Sequence, residues 1–447
     1  MTQTPIPRLI LTLSAPSIIS MLVTNIYNLV DTAFVGQLGT SASGAVGVVF
    51  GFMSVIQAFG FMFGQGSGSI LSRALGQQNT DSATRHASTG FFASLTAGVL
   101  ISIIGFSFLD QVVMLLGSTQ TIAPYAKTYI FYILIAAPFM SSSLTLNNIL
   151  RYEGKAALGM IGLMTGAVLN MIGDPILMFA CGMGIAGAGL STAVSQVVSW
   201  VILTGMFITG KTQTRLSWKK AAWKEPRVVL DIMATGFPSL LRQGLNSFTT
   251  MLLNLQCAPY GDAAVAAMSI VSRIIFFSFS LVIGIGQGFQ PVSGFNYGAG
   301  HYERLRKAFR FTLALSEGVV IAASTVLVIF SGSLIQLFRD DPQVIGIGTR
   351  ALRLQAIAQL LLPICSTAEM LYQSTGHRIG ATALSSLRSG VLFIPTLLLL
   401  SNWRGLPGIQ EAQPLAILLA IPITIPFVFH FFRSLHLSGN RSEVNLK

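Results

Sequence analysis

Acidic charge is scarce in this chain. Of its 447 residues only 15 are Asp or Glu, and charged residues together make up 9%, where a soluble domain carries about 25%. Hydrophobic residues make up 52%. No soluble core needs that much apolar sequence, so lipid must be the solvent. Cysteine is nearly missing as well. Cys181, Cys257 and Cys365 form no CxxC and no Cys/His cluster, which argues against a zinc site or a disulfide framework. The five histidines show no HExxH spacing. No Walker A sequence occurs, and GQGSG and GIGQG sit at span ends without the lysine or the strand–helix setting that cradles phosphate. An enzyme is therefore not expected, nor a cofactor, nor ATP as the energy source. An ion gradient is the simpler choice.

Long apolar runs are what the chain does have. Twelve can be read, at 9–36, 44–68, 87–109, 123–147, 156–180, 186–209, 228–257, 263–291, 306–332, 345–371, 379–401 and 411–433. Each is near or above the roughly 20 residues that cross a bilayer as a helix. The apolar run that follows MTQTPIPR is too long for a signal peptide, so the first span is expected to be retained. Gly60, Gly64 and Gly68 form a small-xxx-small ridge on the second span, which suits close helix packing.

The net charge of +12 is explained by where the cations lie. Arg73 and Arg85 follow span two, Arg151 and Lys155 follow span four, and Lys211, Arg215, Lys219, Lys220, Lys224 and Arg227 follow span six. Arg304, Arg306, Lys307 and Arg310 follow span eight. The opposite loops hold Lys127, Arg339 and Arg404, with Arg350 and Arg353 near one span end. The positive-inside rule then puts both termini in the cytoplasm of a multi-pass plasma (inner) membrane protein. No nucleic-acid partner is needed to account for the charge; membrane lipid is the expected surrounding.

The chain also repeats itself. Pro16-Ser17 recurs as Pro238-Ser239, Gly39 as Gly261, Gly64-Gln65-Gly66 as Gly286-Gln287-Gly288, Gly76 as Gly298 and Gly154 as Gly376, each 222 residues on. This predicts an all-α polytopic membrane protein of twelve transmembrane helices in two six-helix lobes. Six is even, so both lobes enter the membrane the same way and a pseudo-two-fold along the membrane normal should relate them. The expected division is an N-terminal lobe at 1–209, a basic cytoplasmic linker at 210–227 and a C-terminal lobe at 228–447. Such repeats hold substrate between them and alternate access by rocking, which suits a transporter better than a channel, a receptor or a membrane-embedded enzyme.

Against this apolar ground the buried polar residues stand out. Asp31 lies late in span one, behind Pro16, which removes a backbone donor and offers a bending point. Asn170 and Asp174 lie four apart on span five and share a helix face. Thr192 lies early in span six, so all four fall at similar depth in the outer half of the first lobe. Intramembrane carboxylates usually mark an ion or proton path. Two carboxylates, an amide oxygen and a hydroxyl could coordinate Na⁺, the two carboxylates could share a proton, or the set could simply hold the lobe together by hydrogen bonds. The second half does not repeat it: Leu253, Leu392 and Thr396 stand 222 residues after Asp31, Asn170 and Asp174. It carries Arg242, Gln243, Arg273, Glu317, Glu369 and Arg388 instead, whose charges either pair with one another or line a substrate cavity.

Ala15-Pro16, VDTAFVGQLG (residues 30–39), RALGQ (residues 73–77) and NMIGDP (residues 170–175) together resemble the multidrug and toxic compound extrusion (MATE) family, nearest its DinF-like and MepA-like bacterial and archaeal branch. The resemblance covers nearly the whole chain. It implies antiport: expulsion of amphipathic, often cationic drugs in exchange for H⁺ or Na⁺. It also implies a first-lobe cation site matching Asp31, Asn170, Asp174 and Thr192, a bending first helix matching Pro16, and a monomer. Some relatives place key acids in the seventh helix, where this chain offers Arg242 and Gln243 but no midspan acid. The alternative function is a flippase for a lipid-linked saccharide, whose anionic headgroup would suit the buried arginines.

Overall fold

The computed structural model describes residues 2–222 and 225–444; Lys224 of the basic linker lies outside them. Among the described residues the regular structure is helical throughout, as lipid demands, because a helix satisfies its backbone donors and acceptors within one segment. In order the helices are α1 (Ile6–Gly36), α2 (Thr40–Gly76), α3 (Thr80–Ser107), the short α4 (Leu109–Leu115), α5 (Ala123–Tyr152), α6 (Ala156–Pro175), α7 (Ile185–Ile208), α8 (Pro226–Cys257), α9 (Asp262–Gly298), α10 (Tyr302–Ile329), the short α11 (Ser331–Phe338), α12 (Pro342–Gln359), α13 (Leu362–Thr375), α14 (Arg378–Ser386), α15 (Phe393–Arg404) and α16 (Leu406–Val444).

Among the described residues ten segments are long and apolar enough to cross a membrane, and the α12–α13 pair makes an eleventh. The twelfth is α8. At 32 residues it is about 48 Å long, but Arg242, Gln243, Asn246 and Asn254 dilute its hydropathy. Several helices outrun the apolar stretches that announce them. For instance, α2 continues to Gly76 and α9 to Gly298, because hydropathy registers only the part of a helix that faces lipid.

The span expected as one helix at 345–371 is broken. Between α12 and α13 the axis turns by 52°. Pro363 has no N–H to give the carbonyl of Gln359, and its ring crowds the preceding turn. Two further spans carry a π-helical turn. One is Ile176–Ala180, directly after Pro175, and the other is Leu387–Val391, which includes Arg388. Such turns widen a helix locally and are frequent at functional sites.

The repeat landmarks have local jobs. Gly39, Gly261, Gly154 and Gly376 all take positive φ, at 113°, 88°, 83° and 85°, in the turns that join successive helices. A side chain is strained there. Gln78, at φ 61°, stands where the second half has Gly300, at φ 74°.

Two compact units form by contact. One comprises Met1–Ile18 with Leu245–Lys447, and the other is Ile19–Gly244. Thus α1 and α8 each divide, with the first part of each belonging to the unit built mainly from the other half of the chain. Glycines explain this. In the Ile19–Gly244 unit, a Cβ on Gly66 would strike the carbonyl of Ile232, and one on Gly236 would strike the carbonyl of Met62. At the matching places in the other unit, a Cβ on Gly288 would strike Ser14, and one on Gly284 would come within 2.6 Å of Ile18. Helix α2 therefore seats the first part of α8, and α9 seats the first part of α1. The Gly60/Gly64/Gly68 ridge seats α5, against Ser141, Asn148 and Tyr152.

The basic linker is strapped to the Ile19–Gly244 unit. Glu153, 3% exposed, accepts from the amides of Gln213 and Thr214, at 3.0 Å each, and from the Thr214 hydroxyl. Burial pushes its carboxyl above the ordinary range, while the bonds from Thr214 and Gln213 oppose that rise. The Ser88 hydroxyl donates to the carbonyl of Arg215 and accepts from the amide of Ser217. Thr89 accepts from the amide of Ala222, and Lys220 pairs with Asp81 at 2.6 Å.

Two outcomes follow for purified protein. Gly66→Ala should lower the thermal unfolding midpoint or abolish folding, since overpacking costs about 1–3 kcal/mol. Gly47→Ala on the same helix, with nothing within 4 Å of the new Cβ, should not. Glu153→Ala leaves buried donors unmet, at about 2 kcal/mol, so trypsin should cut the linker at Lys211 and Arg215 roughly thirtyfold faster. An unchanged cutting rate would mean that Glu153 does not hold the strap.

Candidate functional site: a cage of oxygens in the Ile19–Gly244 unit

Four elements of one unit build the site: the later part of α1, the middle of α5, the end of α6 and the start of α7. Asp31, Asn170, Asp174 and Thr192 are all buried, with Asp174 fully so. Helix spacing puts Asp174 one turn after Asn170, and the glycines Gly173 and Gly187 let α6 and α7 close. A Cβ on Gly173 would come within 2.6 Å of the Ser191 hydroxyl, and one on Gly187 within 2.6 Å of the Leu177 backbone.

The amide of Asn170 organises the cluster. Its Nδ2 donates to Asp174 Oδ1, Ser191 Oγ and Thr192 Oγ1, all at 3.2 Å. Both hydroxyls spend their own protons on backbone carbonyls, Ser191 on Asn170 and Thr192 on Ala188. They are therefore acceptors toward Asn170, and this fixes which end of the amide faces them. The Asn170 Oδ1 is turned the other way. It is buried and receives no hydrogen bond, and the same holds for Asp31 Oδ1 and Asp174 Oδ2. Buried acceptors are almost always satisfied, so three orphans in one cluster make it the candidate seat for a cation or a proton.

Tyr27, one turn before Asp31, and Tyr129 of α5 stand beside Asp31, and the Tyr129 side chain also meets Thr192. Chemically the cage offers carboxylate and carbonyl oxygens to a hard cation, which prefers them over softer ligands, or a shared seat for a proton between two neighbouring carboxyls. Among the described residues no three His, Cys, Asp or Glu converge, so the donor set fits an alkali cation or a proton better than a transition metal.

The structure brings the four first-half residues together and adds three. The sequence reading missed all three; Ser191 adjoins Thr192 and Tyr27 sits four before Asp31, so spacing was the signal that could have found those two. Tyr129 had no such signal, being brought in only by the packing of α5. The second-half residues do not form one comparable cluster. Arg242 and Gln243 lie on the first part of α8, in the same unit as Asp31, with Arg151 near Arg242. Arg273 is exposed on α9 and Glu317 half-buried on α10, and among the described residues neither makes an ion pair. Glu369 and Arg388 both stand near Cys365, and the Arg388 guanidinium lies 4.8 Å from the centre of the Phe279 ring. Pro16 lies inside α1, which continues as a helix on both sides of it.

Comparison with known proteins adds the following. The family model described as MatE matches residues 16–176 and 238–399, so the two matched stretches begin 222 residues apart. The chain is 28% identical to the multidrug export protein MepA of Staphylococcus haemolyticus, over 89% of this chain and 87% of that one. It is 26% identical to MepA of Staphylococcus aureus strain MRSA252, over 91% and 90%. In fold it is similar to a crystal structure of a MATE protein in complex with MaL6, with a TM-score of 0.92 and 24% identity over 97% of this chain and 98% of that one. It is also similar to a MOP superfamily transporter from Pyrococcus furiosus, with a TM-score of 0.91 and 24% identity over 97% of each chain.

A cation that fills the cage should stabilise the unit around it. Thermal unfolding of the purified protein should shift upward with Na⁺ or with acid, and Asp174→Asn or Asn170→Ala should remove that shift. If both variants keep the full shift, the ion binds elsewhere.

Proposed function

This chain belongs to the MatE family, and on that premise we propose that it is a cation-coupled multidrug exporter, a transporter and not an enzyme. It sits in the plasma membrane with both termini cytoplasmic, works as a monomer, and moves amphipathic, often cationic compounds outward by alternating access between two lobes. The observation that carries the coupling is the trio of buried oxygens without donors, on Asp31, Asn170 and Asp174. The names of the similar staphylococcal proteins support multidrug export. The loop charges support the topology: on the outer side Lys127 pairs with Asp110, and Arg350 and Arg404 share Glu411, so little net positive charge remains there.

In this reading, Na⁺ or H⁺ arriving from outside is the coupling substrate. Asp31 and Asp174 supply the charge that receives it, Asn170 turns its carbonyl oxygen toward it, and Ser191 and Thr192 hold the Asn170 amide in that orientation. Asp31 rides on α1, so filling the cage acts on the helix whose earlier part, ending past Pro16, belongs to the other compact unit. A cation that favours one arrangement of α1 and a drug that favours the other then oppose each other's binding. That opposition is the reciprocal linkage an antiporter needs.

The test is dye efflux from vesicles containing the purified protein, with Na⁺ and proton gradients imposed separately. One gradient alone should drive efflux and name the ion, and Asp31→Asn should reduce driven efflux at least a hundredfold while inserting normally. Undiminished efflux from the variant would sink the assignment of Asp31. Movement of no dye under either gradient would favour the flippase for a lipid-linked saccharide.

A further inference from the structure

A cavity of about 1010 Å³ opens in the Met1–Ile18/Leu245–Lys447 unit, between the end of α13, the start of α14 and the second half of α16. It is at the upper end of the roughly 300–1,000 Å³ typical of small-molecule sites. None of the residues assigned to the oxygen cage or to coupling lines it. Its walls are joined by the Tyr372 hydroxyl, which donates to the Phe427 carbonyl at 2.8 Å. His377 is fixed in place at one corner. Its Nδ1 lies 3.0 Å from the Thr375 hydroxyl, and its ring packs on Tyr372, Phe431 and Tyr297.

Two properties of the lining decide what it fits. First, among the described residues the charge-bearing ones in the lining are His377, Arg378 and His430, with no carboxylate. Just beyond, Arg306 stacks on Phe432 at 5.7 Å and pairs with Glu303 at 3.7 Å, so that pair adds no net charge. The basic side chains of the lining suit an anion better than a cationic drug. Second, the mouth is apolar. Ile379 is 88% exposed and stands next to Pro426 and Phe427 in the lining. A soluble anion has no use for that lip, but an acyl chain does. The cavity also lies where a span ends, beside the turn at Gly376 that follows the tenth span. Basic pockets between transmembrane helices at that level take anionic lipid headgroups, and aromatic side chains favour the same depth.

We propose that this cavity binds one anionic phospholipid of the leaflet on the side of the Gly376 turn, its phosphate held by Arg378, His377 and His430 and its acyl chain laid over Ile379 and Phe427. The assignment of that leaflet as cytoplasmic rests on the topology proposed above. The binding itself does not rest on drug export or on the cation.

The test uses the full chain purified from vesicles of phosphatidylcholine and phosphatidylglycerol in equal parts, with retained lipid counted by native mass spectrometry. The wild-type protein should keep one phosphatidylglycerol in preference to phosphatidylcholine. Arg378→Gln should reduce that retention about fivefold, the weight of one basic residue near a membrane surface. His430→Arg should raise it, which a variant that merely fails to fold cannot do. Asp31→Asn should retain lipid like the wild type, so loss of coupling and loss of lipid binding are read apart. Equal retention of both lipids, or unchanged retention by both cavity variants, would overturn the proposal. So would displacement of the lipid by glycerol phosphate alone, which would assign the cavity to a soluble anion.

Discussion

Three buried oxygens that receive no hydrogen bond, on Asp31, Asn170 and Asp174, are the constraint around which the Ile19–Gly244 unit is organised. Carboxylates surrounded by lipid and helix are costly, and an unmet buried acceptor adds to that cost. The neighbouring groups do not relieve it. Ser191 and Thr192 give their protons to backbone carbonyls, and Asn170 gives its amide hydrogens to one carboxylate oxygen and to those same hydroxyls. The polar groups here are spent on holding one another in position. The three unmet oxygens are the feature on which the proposed seat for a cation or a proton rests.

The way the helices are shared between the compact units gives that proposed seat a mechanical meaning. Asp31 belongs to the later part of α1, and the part up to Ile18 belongs with α9. The close approach of Ser14 and Ile18 to Gly288 and Gly284 fixes the early part by backbone contact. The later part carries the charge. In the coupling proposed above, neutralising Asp31 acts on a helix whose other end is held in this way. Pro16 lies just before the boundary, where one backbone hydrogen bond is already missing. The equivalent division of α8, near Gly244, has no acid to match Asp31. The repeat therefore supplies two similar helices, of which only the first carries an acid at this position.

Much of this was legible in the sequence because lipid leaves so few options. Apolar run length and the 222-residue period were enough for twelve helices in two lobes, and the distribution of Arg and Lys suggested the topology. The spacing of Asn170 and Asp174 placed both on one face. What escaped has physical reasons. Gly64-Gln65-Gly66 and Gly286-Gln287-Gly288 announced close packing but not the partner, so the division of α1 and α8 between units was not visible. The break at Gln359–Leu362 was hidden because a proline in an apolar run reads the same whether the helix bends slightly or stops. Tyr129 was missed because it reaches the cage through the packing of α5, which leaves no mark in spacing. The strapping of the basic linker was not visible, since a buried Glu153 looks in sequence like any loop carboxylate.

The measurement that bears most directly on the proposed coupling is the equilibrium affinity for a fluorescent cationic dye, taken across a range of Na⁺ concentration and pH without any gradient. Linkage requires that the coupling ion weaken dye binding and that the dye weaken ion binding by the same factor. If the cage is the coupling site, the wild-type dye affinity falls as the ion is raised, and in Asp31→Asn the dye still binds but its affinity no longer responds. A variant whose affinity keeps the full ion dependence would contradict a coupling role for the cage.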